Sequence, residues 1–234
     1  RMMRMIRTRA LSHTFTIGKR GQAIQVPVLY DIDLEVAPGE IVVITGKSGS
    51  GKSTLLNLLS GFIDPTAGEI KINGRRVTGL SEGQWADFRL NNIGFIFQSY
   101  QLIAGMTVYE NVRLPLVLKR MEERQRDQLT REILERVGLD EFAGFYPDEL
   151  SGGMQQRASV ARALITRPPL ILADEPTGSL DSENERTLLE FIHRLNRELQ
   201  VTFLLVTHDR DVAAVAGRAI HLQDGRINRE GVAL

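Results

Sequence analysis

The chain has 234 residues, enough for one large α/β domain or for a domain with a helical insertion, and its 29 basic residues balance its 29 acidic ones. The balance leaves no global basic field of the kind that marks nucleic-acid binders, and the lack of cysteine excludes disulfides and thiolate metal or redox sites. No apolar run reaches the ~20 residues that span a bilayer, and the opening RMMRMIRTRA has no extended apolar stretch with a cleavage site, so it predicts a solvated end rather than a secretory leader, with a membrane-surface role for the basic tip as the alternative.

In chain order, alternating apolar positions in AIQVPVLYDIDLEV predict antiparallel strands, and APGE turns the chain into the buried strand IVVIT. A glycine-rich turn leads into a helix from about Lys52; GEIKING and IGFIFQ read as further strands. TVYENVRLPLVLKR predicts a helix kinked or broken at Pro115, and EERQRDQLTREILERVGL a second, stopped by Gly138. GGMQQRASVARALIT predicts a helix ending near Pro168 and Pro169, followed by the buried strand LILAD, the helix SENERTLLEFIHRLNREL, the strand VTFLLVTHD and a hairpin in AIHLQDGRI. This alternation predicts a mostly parallel sheet covered by helices, behind a β-rich N-terminal region.

The segment GKSGSGKST, Gly46 to Thr54, fits the phosphate-binding pattern G-x-x-x-x-G-K-[ST] between a strand and a helix. Gly46, Gly49 and Gly51 remove the Cβ atoms that would keep phosphate oxygens from the loop amides, while Lys52 and the helix N-terminus favour a polyanion such as a nucleoside triphosphate. Ser53 offers Mg²⁺ a hard oxygen ligand. LILADEP places Asp174 and Glu175 at the carboxyl end of a buried strand, where one can position a metal and the other polarise water; adjacent acids in a solvated turn are the alternative. In LSGGMQQR, Ser151 can cap a helix with two glycines in its first turn, a second anion-binding terminus.

Taken in order, GKSGSGKST, Gln98, LSGGMQQR, LILADEP, SLD and His208 resemble the nucleotide-binding subunit of ATP-binding cassette transporters across nearly the full chain. The resemblance implies an ABC-type P-loop NTPase fold: a mostly parallel core sheet flanked by helices with an antiparallel β subdomain, over residues 1–97 and 158–234, and a helical signature subdomain over 98–157. It implies ATP and Mg²⁺ as ligands, a phosphate loop of Gly46, Lys47, Ser48, Gly49, Ser50, Gly51, Lys52, Ser53 and Thr54, and metal contacts from Ser53, Gln98 and Asp174. Glu175 takes the base role, His208 contacts the γ-phosphate, and Ser151, Gly152, Gly153 and Gln155 form the signature that reaches a partner's ATP. Ser179, Leu180 and Asp181 link the two sites across a dimer, and Phe15, with Val28 nearby, occupies the adenine-stacking position, although an ordinary apolar strand residue remains the alternative there. Met154 stands where close relatives commonly have Gln, and Ser179 where they have Asn; neither removes an essential group.

IGFIFQSYQLIAGMTVYENVRLPL and ADEPTGSLDS look like the branch containing lipoprotein-releasing, macrolide-export and cell-division ATPases. That branch implies a second copy of the chain and a membrane permease with a large extracytoplasmic domain as partners, at the cytoplasmic face of the inner membrane, with no nucleic acid. Tyr100, Leu102, Ile103, Met106 and Val108 are candidates for a permease-binding groove, some of them for the core. A DNA-repair ATPase would need coiled-coil arms between phosphate loop and signature, and the intervening segment has no sustained heptads; a translation factor would normally join two such domains.

Overall fold

A computed structural model of the chain describes residues 3–19, 21–209, 212 and 217–231. It contains two compact units, Arg1–Ala86 with Thr202–Leu234, and Asp87–Val201.

The first unit holds two sheets. In one, β1 (Ile6–Ile17) pairs antiparallel with β2 (Ile24–Ile32), β3 (Glu35–Val36) and β5 (Ala67–Ile72), and β5 with β6 (Arg75–Arg76). The antiparallel expectation for the second of these segments holds. Among the described residues the solvated end is limited to the exposed Met3 and Arg4, because Met5, Ile6 and Leu11 are buried and β1 is the strand shared by β2, β3 and β5. Its basic residues hid the strand, since Arg7 and Arg9 alternate with inward-facing Ile6 and Thr8.

In the other sheet, β4 (Ile41–Thr45) lies between β9 (Thr202–Thr207) and β10 (Arg218–Gln223), parallel to both, and β10 pairs antiparallel with β11 (Arg226–Gly231). β4 and β9 are almost continuously buried, which is what a parallel strand covered on both faces requires. The predicted hairpin is β10–β11, turned at Asp224 and Gly225, both with positive φ. Helix α1 (Lys52–Leu59) follows the phosphate loop, and α2 (Glu82–Asn92), which the sequence reading did not identify, places buried Trp85 against Gly61.

In the second unit β7 (Ile93–Phe97) and β8 (Leu170–Asp174) pair in parallel, Phe97 opposite Asp174. Its helices are α3 (Val108–Leu118), α4 (Glu123–Arg136), α5 (Gly152–Leu164) and α6 (Ser182–Leu199). Pro115 neither breaks α3 nor ends it: the helix runs on to Leu118 behind a capping box in which Thr107 and Glu110 satisfy each other's backbone amides. The strands carry their motifs at their carboxyl ends, where open α/β sheets bind ligands.

Candidate nucleotide site

The phosphate loop leaves β4 at Thr45 and is held open by backbone demands only glycine meets. Gly49 and Gly51 have φ of 81° and 102°, and a Cβ on Gly46 would collide with the Leu222 carbonyl and Ser50 Oγ. Gly51 is the N-cap of α1 and supplies no side-chain acceptor, so the first amides of the helix face the loop uncapped. Lys52 is 7% exposed; its Nζ donates to the carbonyls of Gly46 at 2.8 Å and Lys47 at 3.0 Å, which folds its charge across the loop. Ser50 is buried with no hydrogen-bond partner for Oγ, Lys47, Ser48, Gly49 and Ser53 are exposed, and Thr54 is half-buried.

Other parts of the first unit converge on the loop. The β1–β2 ladder has a bulge at Val28, so that His13 pairs with Leu29 and Thr14 with Pro27. The bulge brings the Val28 carbonyl within 3.3 Å of where a Cβ on Gly51 would lie, and Leu29 packs on Gly51 from the same side. Phe15, opposite Val26, is 36% exposed and meets the buried His13 ring edge-on, centroids 4.5 Å apart at 81°. Tight contact also comes from the β10–β11 turn: Gly225 N donates to Ser50 O at 3.2 Å and Gly225 O accepts from Tyr30 N at 2.9 Å. His208 follows β9 directly, and since Thr45 pairs with Thr207 it leaves the sheet at the same edge as the loop, with an exposed ring. His221, expected to have no catalytic role, contacts Thr45 Oγ1 through Nδ1 at 3.2 Å.

The second unit assembles the other motifs. Gln98 and Glu175 leave the paired ends of β7 and β8, next to Asp174, whose Oδ1 is buried. Glu175 has φ 44°, an uncommon left-handed conformation for a non-glycine residue, in a turn closed by Gly178 N to Glu175 O at 3.0 Å. A Cβ on Gly178 would lie 2.7 Å from Gln98 Nε2, so the glycine gives the glutamine its place. Ser151 caps α5 by accepting from Met154 N at 3.3 Å, Gly152 and Gly153 form its first turn, and Gln155 Nε2 donates to Leu150 O. Asp181 caps α6, accepting from Asn184 N at 2.9 Å and from its side-chain amide at 2.8 Å. Those bonds hold the Asp181 carboxyl below the usual carboxylate range, the backbone bond contributing most. Ser179 is exposed and Leu180 half-buried in the same loop.

Four positioning residues escaped the sequence reading. Gln156, fully buried, donates from Nε2 to Pro176 O and so ties the signature helix to the Asp174–Glu175 turn. Asn184 lies where a Cβ on Gly153 would sit 2.5 Å from its Oδ1, joining signature and Asp181 loop. Arg162 of α5 donates to Tyr100 O at 2.9 Å and Gln101 O at 2.7 Å, fixing two residues with positive φ just beyond Gln98; burial lowers the Arg162 pKa. Asn111 accepts from Ile103 N and donates to the carbonyls of Ile103, Met106 and Thr107. A polar residue at the buried-stripe positions of α3 and α5 was the available signal for Asn111 and Gln156. Among the candidate groove residues, Val108 is core, Ile103 is exposed, and Tyr100, Leu102 and Met106 are half-buried.

Within the first unit, a cradle without side chains, an uncapped helix terminus and a lysine suit the phosphates of a nucleoside triphosphate, and the Ser53 hydroxyl suits a hard cation such as Mg²⁺; within the second, the Asp174 carboxylate suits the same kind of cation. No cluster of three or more His, Cys, Asp or Glu occurs among the described residues, so a metal here would need oxygens from phosphate and water as well.

Residues 29–178 match the family described as ABC transporter. The chain is 58% identical over 221 residues to the ABC transporter ATP-binding protein YtrE of Bacillus subtilis (strain 168), covering 94% of this chain and 96% of that protein. It is 45% identical over 216 residues to the lipoprotein-releasing system ATP-binding protein LolD of Bordetella avium (strain 197N), covering 92% and 93%. Among solved structures, the dimeric post-hydrolysis state of the ATP-binding cassette MJ0796 bound to ADP and Pi matches with a TM-score of 0.87 at 38% identity, covering 98% of this chain and 99% of that one. Loop, strand-end acids, signature and these relatives agree, and the chain belongs to the ABC transporter family as one of its ATP-binding, ATP-hydrolysing domains.

Proposed function

We propose that two copies of the chain close around two ATP molecules and transmit hydrolysis to a membrane permease, in the branch that includes lipoprotein release and macrolide export, at the cytoplasmic face of the inner membrane. What carries this reading is the pairing of strand ends. In one unit the phosphate loop and His208 leave adjacent strands β4 and β9, and in the other Gln98 and Glu175 leave β7 and β8. The dimeric state of the MJ0796 cassette and the transporter-subunit names of YtrE and LolD support the assembly.

In this reading the loop amides and Lys52 hold the β- and γ-phosphates, and Phe15 with Val28 receives the base. Glu175 accepts a proton from the attacking water, His208 and Gln98 orient the γ-phosphate, and Asp174 and Ser53 hold the metal. Mg²⁺, when bound, neutralises phosphate charge. Ser151, Gly152, Gly153 and Gln155 present the amide-rich start of α5 to the partner's nucleotide, and Ser179, Leu180 and Asp181 connect the two sites. Segment 98–157 is the lobe that meets the permease, through Ile103 and the half-buried Leu102 and Met106.

Because a base matters when water attacks and little for ground-state binding, Glu175→Gln should lower turnover about 10²- to 10⁴-fold with ATP affinity retained. Lys52→Ala should weaken ATP binding itself. Equal turnover in Glu175→Gln and the parent, measured on stable protein by phosphate release, would remove Glu175 from the base role. Met106→Glu should abolish co-purification with the permease while leaving ATP affinity unchanged; an intact complex would place the coupling surface elsewhere.

A further inference from the structure

Helices α5 and α6 of the second unit flank a half-open cavity of about 380 Å³; Gly153 and Leu180 touch it, but its remaining lining has no part in the nucleotide reading. Its size is within the ~300–1,000 Å³ of small-molecule sites. Arg157, Arg194 and Arg197 line it, with Glu190 its one carboxylate, and Glu190 is already paired with Arg186 at 3.1 Å. Neither Arg194 nor Arg197 has a carboxylate within ion-pair distance among the described residues, whereas other α6 charges are matched, as in Arg136–Glu198. Arg194 instead lies over the buried Phe191 ring, 5.1 Å from its centroid. Arg157 is tethered through Nη1 to Val137 O at 2.9 Å, which fixes its guanidinium at the rim. Gln156 also lines the cavity, fully buried, and its Oε1 has no donor.

These features describe one ligand chemistry. Three guanidinium groups, beside one carboxylate already engaged by Arg186, leave a surplus of positive charge that a dianionic phosphate monoester largely balances, and the planar fork of arginine matches phosphate oxygens. An unsatisfied buried acceptor asks for a hydroxyl or amine donor. Apolar Val137, Leu188 and Phe191 ask for a carbon skeleton between the two. We propose that this cavity binds a small phosphorylated, hydroxyl-bearing molecule of the sugar-phosphate class, distinct from the ATP site. Its occupant would abut Gly153 and Asn184, which join signature and Asp181 loop.

Ribose 5-phosphate is the probe, titrated calorimetrically into the full chain without nucleotide or Mg²⁺, so that the outcome does not depend on hydrolysis. Saturable one-to-one binding is expected, weakened about tenfold or more in an Arg194→Ala/Arg197→Ala double variant, strengthened in Glu190→Gln and unchanged in Lys52→Ala. Both arginines are exposed, and an unaltered thermal midpoint of the double variant verifies its fold. The proposal is overturned if ribose 5-phosphate shows no saturable binding at millimolar concentration, or if the double variant binds it like the parent. It is equally overturned if Lys52→Ala removes the binding, which would assign it to the phosphate loop, or if inorganic phosphate binds as tightly as the sugar phosphate.

Discussion

Gly178 shows how little room separates the base turn from the residue meant to sense the metal. A methyl there would meet Gln98 Nε2 at 2.7 Å, and the obstacle is the far end of a flexible side chain, so Gly178→Ala should fold but displace Gln98. Misplacing a positioned group by about 1 Å costs roughly 10²-fold in rate. Gly178→Ala should therefore lose about that in kcat with KM for ATP little changed, read by steady-state kinetics; a normal kcat would show that Gln98 is not needed where it stands. Gly46 is the opposite case, since its obstacle includes the Leu222 backbone carbonyl, which cannot swing aside. The residues that bear chemistry were legible because their chemistry restricts their type: glycines without Cβ, a lysine, paired acids. Asn184 and Arg162 were not legible, since each acts on a neighbour far away in sequence through a bond any polar residue could seem to make with water.

Elements were legible where one period dominated. β4, β8 and β9 are apolar runs, and α6 has the strongest two-faced pattern, so their identities followed directly. β1 was missed because its outward residues are arginines at the chain's beginning, and α2 because EGQWADFRLNN offers only Trp85 and Phe88 as buried anchors. Pro115 does not break α3: a proline withholds one amide, and a helix held by a capping box and by buried Val112 and Leu116 tolerates that loss. The cap of α6 carries a pH dependence. Asp181's carboxyl titrates below its unfolded value, so its bonds to Asn184 strengthen the fold above the ordinary carboxylate range and are lost as pH falls through the depressed value. Between about pH 5 and about pH 3 the thermal midpoint of the parent should fall more steeply than that of Asp181→Asn, which keeps a neutral cap. Parallel slopes would show that Asp181 does not titrate with folding.

At the scale of the whole molecule, the proposed chemistry is divided between the two units: phosphate loop, Ser53 and His208 in one, Gln98, Asp174, the base and the signature residues in the other. If the signature serves a second copy, turnover of dilute isolated subunit should rise more than linearly with concentration. Mixing a Lys52→Ala chain with a Ser151→Arg chain should restore activity that neither has alone, to roughly a quarter or less of the parent value. Full activity of Ser151→Arg in a demonstrated monomer would remove the dimer from the mechanism.

The turn at Gly225 bears on how the chain comes into being. Ser50 and Tyr30 are bonded to a residue synthesised long after them, and β4 pairs only with β9 and β10, both made after residue 201. The second unit is continuous in sequence, Asp87–Val201, and its β7–β8 pairing and the caps of its helices use only residues made before that point. On the ribosome, then, the phosphate loop emerges early yet stays untied while the base turn and signature helix are already able to fold. The segment that reads most plainly in the sequence is among the last to acquire its shape, and a nascent chain becomes competent for nucleotide only as its closing hairpin arrives.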